Sequence, residues 1–204
     1  MSDKFKNKYR IESNRLQTWD YSSPGGYFLT VCIDGRREIL GDVQNDKMIL
    51  SDAGKIVTDH ITEIPEYHQR VILDTWIVMP NHIHFIIVLG DYDFHNGICK
   101  RVSAKKNSVE KIHEFSLRDG KITSEQYRKI RRQMLIPKIM GKFQMLSSKQ
   151  INILNQTPGN RNWQPNYHDR IIRNENELKR IQIYIKNNPL NWKDDKNNQD
   201  GLWI

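Results

Sequence analysis

Cysteine is almost missing from this chain, with only Cys32 and Cys99 among 204 residues. Two thiols so far apart in sequence frame neither a disulfide scaffold nor a cysteine metal site, and they fit a reducing cytoplasm. Long apolar runs are missing too. None approaches the roughly 20 residues needed to span a bilayer, and the opening MSDKFKNKYRIES is too polar for a secretory signal. A soluble cytoplasmic protein with no membrane partner is therefore expected. Internal repeats and low-complexity tracts are also lacking. A length of 204 residues suits one domain, 1–204, with room for an insertion.

Acidic residues run short in one region. Residues 100–161 hold 15 Lys/Arg against 4 Asp/Glu, an excess of 11, whereas the whole chain carries a net +8. The remainder is therefore slightly acidic. Basic charge gathered in one segment points to a polyanionic partner, nucleic acid first. The plainer alternative is a solvated basic surface.

Apolar periodicity supplies the elements. YFLTVCI (27–33) mixes aromatic and β-branched residues after the turn signal SSPGG and reads as a strand. Residues 51–64 place Ile56, Val57, His60, Ile61 and Ile64 at helical spacing, with Ser51 as cap and Pro65 as stop. RVILDTWIVM (70–79) and HIHFIIVLG (82–90) read as an antiparallel hairpin around Pro80 and Asn81. Residues 91–123 are polar and irregular, and 91–133 reads as an insertion or long loop. Residues 124–155 resume helical character with a break at Pro137, and 136–154 is amphipathic. WQPNYHDRIIR (163–173) holds a short strand. ENELKRIQIYIKNN (175–188) is a helix opened by Asn174 and Glu177 and closed by Pro189. The tail after it is polar and expected to be loosely held. Strands interleaved with helices around a hairpin predict an α+β fold with an antiparallel sheet.

The chemistry centres on WIVMPNHIHF (76–85). Side chains alternate along a strand, so His82 and His84 share one face while Ile83 and Phe85 point into a core. Two imidazoles side by side can chelate a cation, or stand as polar residues on a solvated sheet face. A divalent cation needs more ligands. On the last helix, Tyr184 and Asn188 are four apart and share a face, flanking the core stripe Leu178, Ile181 and Ile185. They offer a hydroxyl nucleophile and a hard amide oxygen, or simply a tyrosine at the core edge and an asparagine closing the helix. Tyr167, beside His168, is a second tyrosine candidate. Trp163 and Tyr167 could stack on bases, or pack.

Taken together, NRLQTWDYSSPGGYFLTVCIDGRREILGDV, VMPNHIHFIIVL and WQPNYHDRIIRNENELKRIQIYIKNNPLNW resemble the small tyrosine transposases of the HUH (His–hydrophobe–His) superfamily. Within it the branch most like this chain is that of the REP-associated tyrosine transposases. The likeness covers most of 14–90 and 134–193, in order, and leaves 91–133 unmatched.

The resemblance implies a ferredoxin-like α+β core with a central antiparallel sheet and helices packed on it. It implies metal-dependent cleavage and rejoining of single-stranded DNA through a 5′-phosphotyrosine. His82 and His84 fall on the family's metal-binding histidines, and YIKNNP places Tyr184 as nucleophile and Asn188 as a third ligand. Mg²⁺ or Mn²⁺ is the implied metal, and single-stranded DNA with hairpin structure the implied partner. The residues that grip the DNA are not legible. Family members include monomers and dimers, so a homodimer, with the tyrosine serving its own or its neighbour's histidines, stays open. Three rivals stand beside this reading. One is a catalytically silent or domesticated nucleic-acid-binding protein derived from such a transposase. The second is a replication initiator or relaxase. The third is a zinc hydrolase, which would need an acidic group beside the pair.

Overall fold

The structure is a computed structural model that describes residues 19–90, 92–95, 98–101 and 129–194. Alternating apolar residues produce β1 (Gly25–Cys32), which pairs on both sides: with β5 (His82–Leu89) and with β8 (His168–Ile172). The outer neighbour of β5 is β4 (Val71–Val78). The four-stranded sheet thus has the order β4-β5-β1-β8, antiparallel at every pair.

Between β1 and β4 lie a small hairpin, β2 (Gly41–Gln44) and β3 (Lys47–Leu50), then α1 (Asp52–Thr62) and α2 (Ile64–Tyr67). Ser51 caps α1 by accepting from the Gly54 N–H at 3.1 Å. Gly54 lies so close to the Leu40 carbonyl that a Cβ there would overlap it, so only glycine lets α1 start at this point. A long helix, α3 (Leu135–Leu154), joins the second half of the sheet to β8, and α4 (Glu175–Lys186) follows β8. In sheet-strand order the path is β-α-β-β-α-β with an added C-terminal helix, the ferredoxin-like arrangement. Among the described residues no helix is long and apolar enough to cross a membrane.

The two sheet faces are used differently. Tyr27, Leu29 and Val31 of β1 and Ile83, Phe85, Ile87 and Leu89 of β5 form one face. It packs beneath Val57 and Ile61 of α1 and Ile136, Ile139, Met140 and Phe143 of α3. The opposite face packs on α4, where Ile181 and Ile185 meet Ile86, bordered by Phe28, Ile77, Val88, Ile172 and Leu178. Burying one such isoleucine stabilises by about 1.5–3 kcal/mol, enough to hold a short helix on the sheet. Two polar anchors fix its position. A register shift in β4 between Leu73 and Trp76 lets Asp74 accept from the Gln182 side chain at 2.7 Å. The other anchor is the Glu177 carboxylate, which accepts from the Arg173 N–H at 2.9 Å and pairs with Arg170 at 2.6 Å.

α1 ends at Thr62, before Pro65 as expected, and Pro65 lies in the single turn α2, where its missing N–H is harmless. Two expectations need correction. The irregular stretch expected over 91–123 contains paired strands, β6 (Tyr92–His95) and β7 (Ile98–Arg101); 102–123 lie outside the described residues. The sequence signal was Asn96-Gly97 between two β-rich runs, a strong hairpin marker. Finally, the start of the tail is held: Trp192 is 8% exposed and closes over the sheet.

Candidate active site

Strand register assembles the site. His84 stands opposite Thr30 of β1 on one side and Ile77 of β4 on the other, and His82 stands opposite Cys32. Both imidazoles therefore point to the face covered by α4. They are buried, at 0% and 2% exposure. Their Nε2 atoms meet at 3.0 Å, with the rings edge to face.

Each outer nitrogen has its own partner. His82 Nδ1 lies 3.0 Å from Asn81 Oδ1, and the Asn81 Nδ2 donates to the Arg36 carbonyl at 3.2 Å. With the amide nitrogen committed to a carbonyl, the amide oxygen faces the ring. His82 therefore carries its proton on Nδ1 and turns a lone pair on Nε2 toward His84. Burial, reinforced by the nearby Arg36 charge, pushes the His82 pKa down to about 3, so the ring is neutral at physiological pH. His84 Nδ1 lies 2.8 Å from Thr30 Oγ1. A hydroxyl can donate or accept, so Thr30 suits either neutral tautomer of His84. With its proton on Nε2, His84 donates to His82 Nε2; with its proton on Nδ1, its Nε2 lone pair can accept from the Tyr184 hydroxyl or share a cation with His82.

Tyr184 projects from the last turn of α4, and its hydroxyl lies 3.2 Å from His84 Nε2. The residue is 39% exposed, so a substrate can reach the phenol while the imidazoles stay covered. Phe28 packs against both rings, with its centroid 5.3 Å from His84 and 6.2 Å from Tyr184. Trp192 stacks on His82 at 5.9 Å with an interplanar angle of 30°. Asn188 is buried one turn beyond Tyr184, and its carbonyl accepts from the Asn191 N–H at 3.2 Å in the turn that leads to Trp192.

His82, His84 and Tyr184 thus come together within one chain. Tyr167 does not join them. Alternation along β8 puts it on the opposite face, packed against the α1/α3 core, while His168 is on the imidazole face opposite Thr30. Trp163 is buried, and its indole N–H donates to Ser147 Oγ at 2.9 Å, which removes it as a base-stacking platform. Asn81, Thr30, Phe28 and Trp192 are the site residues that sequence reasoning missed. Asn81 could have been found as the polar neighbour of His82. Cross-strand register, which brings Thr30 to His84, is not written in local sequence.

The two Nε2 atoms converge at 3.0 Å, and imidazole nitrogens so placed are donors that would hold a divalent cation. Among the described residues no cluster of three or more His, Cys, Asp or Glu occurs. Two imidazoles alone would hold an ion only weakly, its remaining ligands coming from amide oxygen, water or a substrate phosphate.

No family model matches the chain. It is 30% identical over 184 residues to an uncharacterised protein of Haemophilus influenzae Rd, covering 90% of this chain and 91% of that one. Two solved structures are similar at low identity. One is a REP-associated tyrosine transposase bound to a REP hairpin, with a TM-score of 0.48 and 18% identity over 90% of this chain and 74% of that one. The other is a candidate transposase from Deinococcus radiodurans R1, with a TM-score of 0.41 and 15% identity over 88% of this chain and 97% of that one. Shared sequence over nine-tenths of both lengths places the chain in the same family as the Haemophilus influenzae protein.

Proposed function

We propose that this chain is a tyrosine transposase of the HUH type that cleaves and rejoins single-stranded DNA through Tyr184. The observation that carries the reading is the 3.2 Å contact between the Tyr184 hydroxyl and His84 Nε2, beside the converging Nε2 of His82. A half-exposed phenol over two buried imidazoles suits attack on a charged phosphodiester better than it suits packing.

The phenolic oxygen attacks phosphorus, and the bond to the 3′-oxygen breaks. The 5′-phosphate is left on Tyr184, and the departing oxygen takes up a proton to become a free 3′-hydroxyl. The transferred bond is kept as a phosphodiester, so a later 3′-hydroxyl can reverse the step. An unperturbed phenol has a pKa near 10, so it needs help to lose its proton. Tyr184 points at the His84 nitrogen that would hold the cation, so a bound cation would lower the phenol's pKa, while Thr30 fixes the ring through its opposite nitrogen. Phe28 and Trp192 wall the rings and limit competing water. Mg²⁺ or Mn²⁺ held by His82, His84 and the Asn188 amide oxygen would stabilise charge on a non-bridging phosphate oxygen. The tyrosine meets its own chain's histidines, which supports a first cut made within one copy.

The test is to incubate the protein with single-stranded hairpin DNA labelled at its 3′ end and Mn²⁺, then run a denaturing gel. A label that migrates with the protein is expected, and chelator should abolish it. Hairpin binding with no adduct in any divalent metal would favour the domesticated binding protein. Metal-dependent cleavage without an adduct would favour a hydrolase.

A further inference from the structure

The path of α4 across the sheet leaves one side of the imidazole site open. The helix begins beside β8, where Glu177 pairs with Arg170, and reaches β4, where Gln182 donates to Asp74. Ile181 and Ile185 rest on Ile86 of β5, and the turn after the helix brings Trp192 onto His82. Ile172, at one end of β8, packs beside the helix, while His168, at the other end, is exposed.

Strand register fixes what borders the open side. Thr30 of β1 stands opposite His84 on β5 and opposite His168 on β8. Directly opposed side chains of an antiparallel pair share a face, so His84, Thr30 and His168 form one row on the imidazole face. The 2.8 Å contact between Thr30 Oγ1 and His84 Nδ1 belongs to that row. Strands lie about 4.8 Å apart, which puts His168 about two spacings from His84.

Tyr184 leans the same way. Its ring meets Phe28 edge-on at 6.2 Å, and Phe28 stands opposite Arg170 of β8. Gln182 reaches instead for β4. The Tyr184 phenol and the His168 imidazole therefore flank one opening, floored by Thr30 and His84.

A displacement at phosphorus uses groups placed in this way. The entering and leaving oxygens lie on opposite sides of the phosphorus, and the released 3′-oxygen needs a proton as its bond breaks. The neighbours of His168 on β8 are turned away or engaged. Alternation sends Asp169 to the opposite sheet face, and Arg170 is bound to Glu177 at 2.6 Å.

We propose that His168 is the general acid of this site. Its imidazolium gives a proton to the departing 3′-oxygen while the Tyr184 oxygen bonds to phosphorus. The proton of the phenol passes to solvent, so one O–P bond forms, one breaks and the diester keeps its charge. On rejoining, the neutral ring takes the proton back from the attacking 3′-hydroxyl. The inference rests on the proposed function for the reaction and assigns the proton source that this reaction requires.

The test changes the leaving group. The cut position is first mapped with the wild-type chain, Mn²⁺ and a pool of hairpins with randomised single-stranded flanks. The substrate is then made with sulfur in place of the bridging 3′-oxygen. A thiolate departs without a proton, so it needs no general acid. His168→Ala should slow adduct formation by about 100-fold on the oxygen substrate and by no more than about threefold on the sulfur one. His168→Gln, which keeps a polar side chain but cannot donate as an acid, should behave in the same way. The position is exposed on a strand at the sheet edge, so both variants should fold, as circular dichroism would show. Equal slowing on the two substrates would make His168 a group that only places the strand, and overturns the assignment. Unslowed cutting of the oxygen substrate by both variants overturns it too. Either result beside a wild-type Tyr184 adduct sinks the general acid alone and spares the proposed function. A wild-type chain that forms no adduct on the oxygen substrate sinks both.

Discussion

The Tyr184 hydroxyl lies 3.2 Å from His84 Nε2, although 100 positions separate the two residues. The contact depends on two independent placements. Strand alternation aims the imidazoles at one sheet face, and burial of Ile181 and Ile185 fixes the rotation of α4 over that face. Turning the helix by one residue, roughly 100°, would carry the phenol away.

Asn81 is expected to set the tautomer of His82. Asn81→Ala removes the acceptor of the His82 Nδ1 proton and the donor to the Arg36 carbonyl, leaving a buried N–H unpaired at a cost of about 1–3 kcal/mol. Nitrogen-15 NMR of the imidazoles should show His82 as the Nδ1–H form in the wild type and as a mixture in the variant. Adduct formation should drop by more than tenfold, and Asn81→Asp, which keeps the acceptor, should recover part of it. An unchanged imidazole spectrum in Asn81→Ala would refute this role.

Acid should weaken the fold through His82. Its folded pKa is pushed down to about 3 against an unfolded value near 6.5. Between those values the unfolded chain binds the proton and the folded chain does not, so stability falls as pH drops below 6.5 and keeps falling until about 3. At pH 5 the loss is about 2 kcal/mol. Urea melts at pH 7.5 and pH 5 would measure it. His82→Gln should flatten the dependence, and so should Trp192→Ala, which lets water reach the ring. An equal slope in all three proteins would contradict the assignment.

Glu177 should matter to the site without touching it. Its carboxylate accepts the Arg173 N–H and pairs with Arg170, and these hold its pKa below the usual carboxylate range, the backbone bond most of all. That stabilisation is present above the unfolded value of 4.5 and fades as pH falls through the lowered one. Glu177→Ala is expected to lower the melting temperature more than Glu177→Gln, and to slow adduct formation by letting the start of α4 fray. A variant with unchanged melting and unchanged adduct yield would show that α4 is held by its apolar face alone.

Much of this arrangement was legible in sequence where a period carried it. Alternation in HIHFIIVL put His82 and His84 on one face, and helical spacing turned Ile181 and Ile185 toward the sheet. Ser51 and Asn174 announced their helices, and both cap as expected. Relations that depend on partner register were not legible. Thr30 reaches His84 only because β1 pairs with β5 in that frame, and Trp192 reaches His82 only because the chain turns back after Pro189. For Tyr167 and Trp163 both base stacking and packing stayed open, because the sequence does not say which sheet face β8 and its approach present. Both pack into the α1/α3 core.

The central claim is tested most directly by locating the covalent bond. The protein is incubated with single-stranded hairpin DNA and Mn²⁺, digested with nuclease and protease, and its peptides are weighed by mass spectrometry. The account predicts a nucleotide-phosphate mass on the peptide containing Tyr184, absent from Tyr184→Phe and retained in Tyr167→Phe. A modified peptide that carries Tyr167 or any other residue instead, or DNA cut in Mn²⁺ with no modified peptide at all, would contradict it.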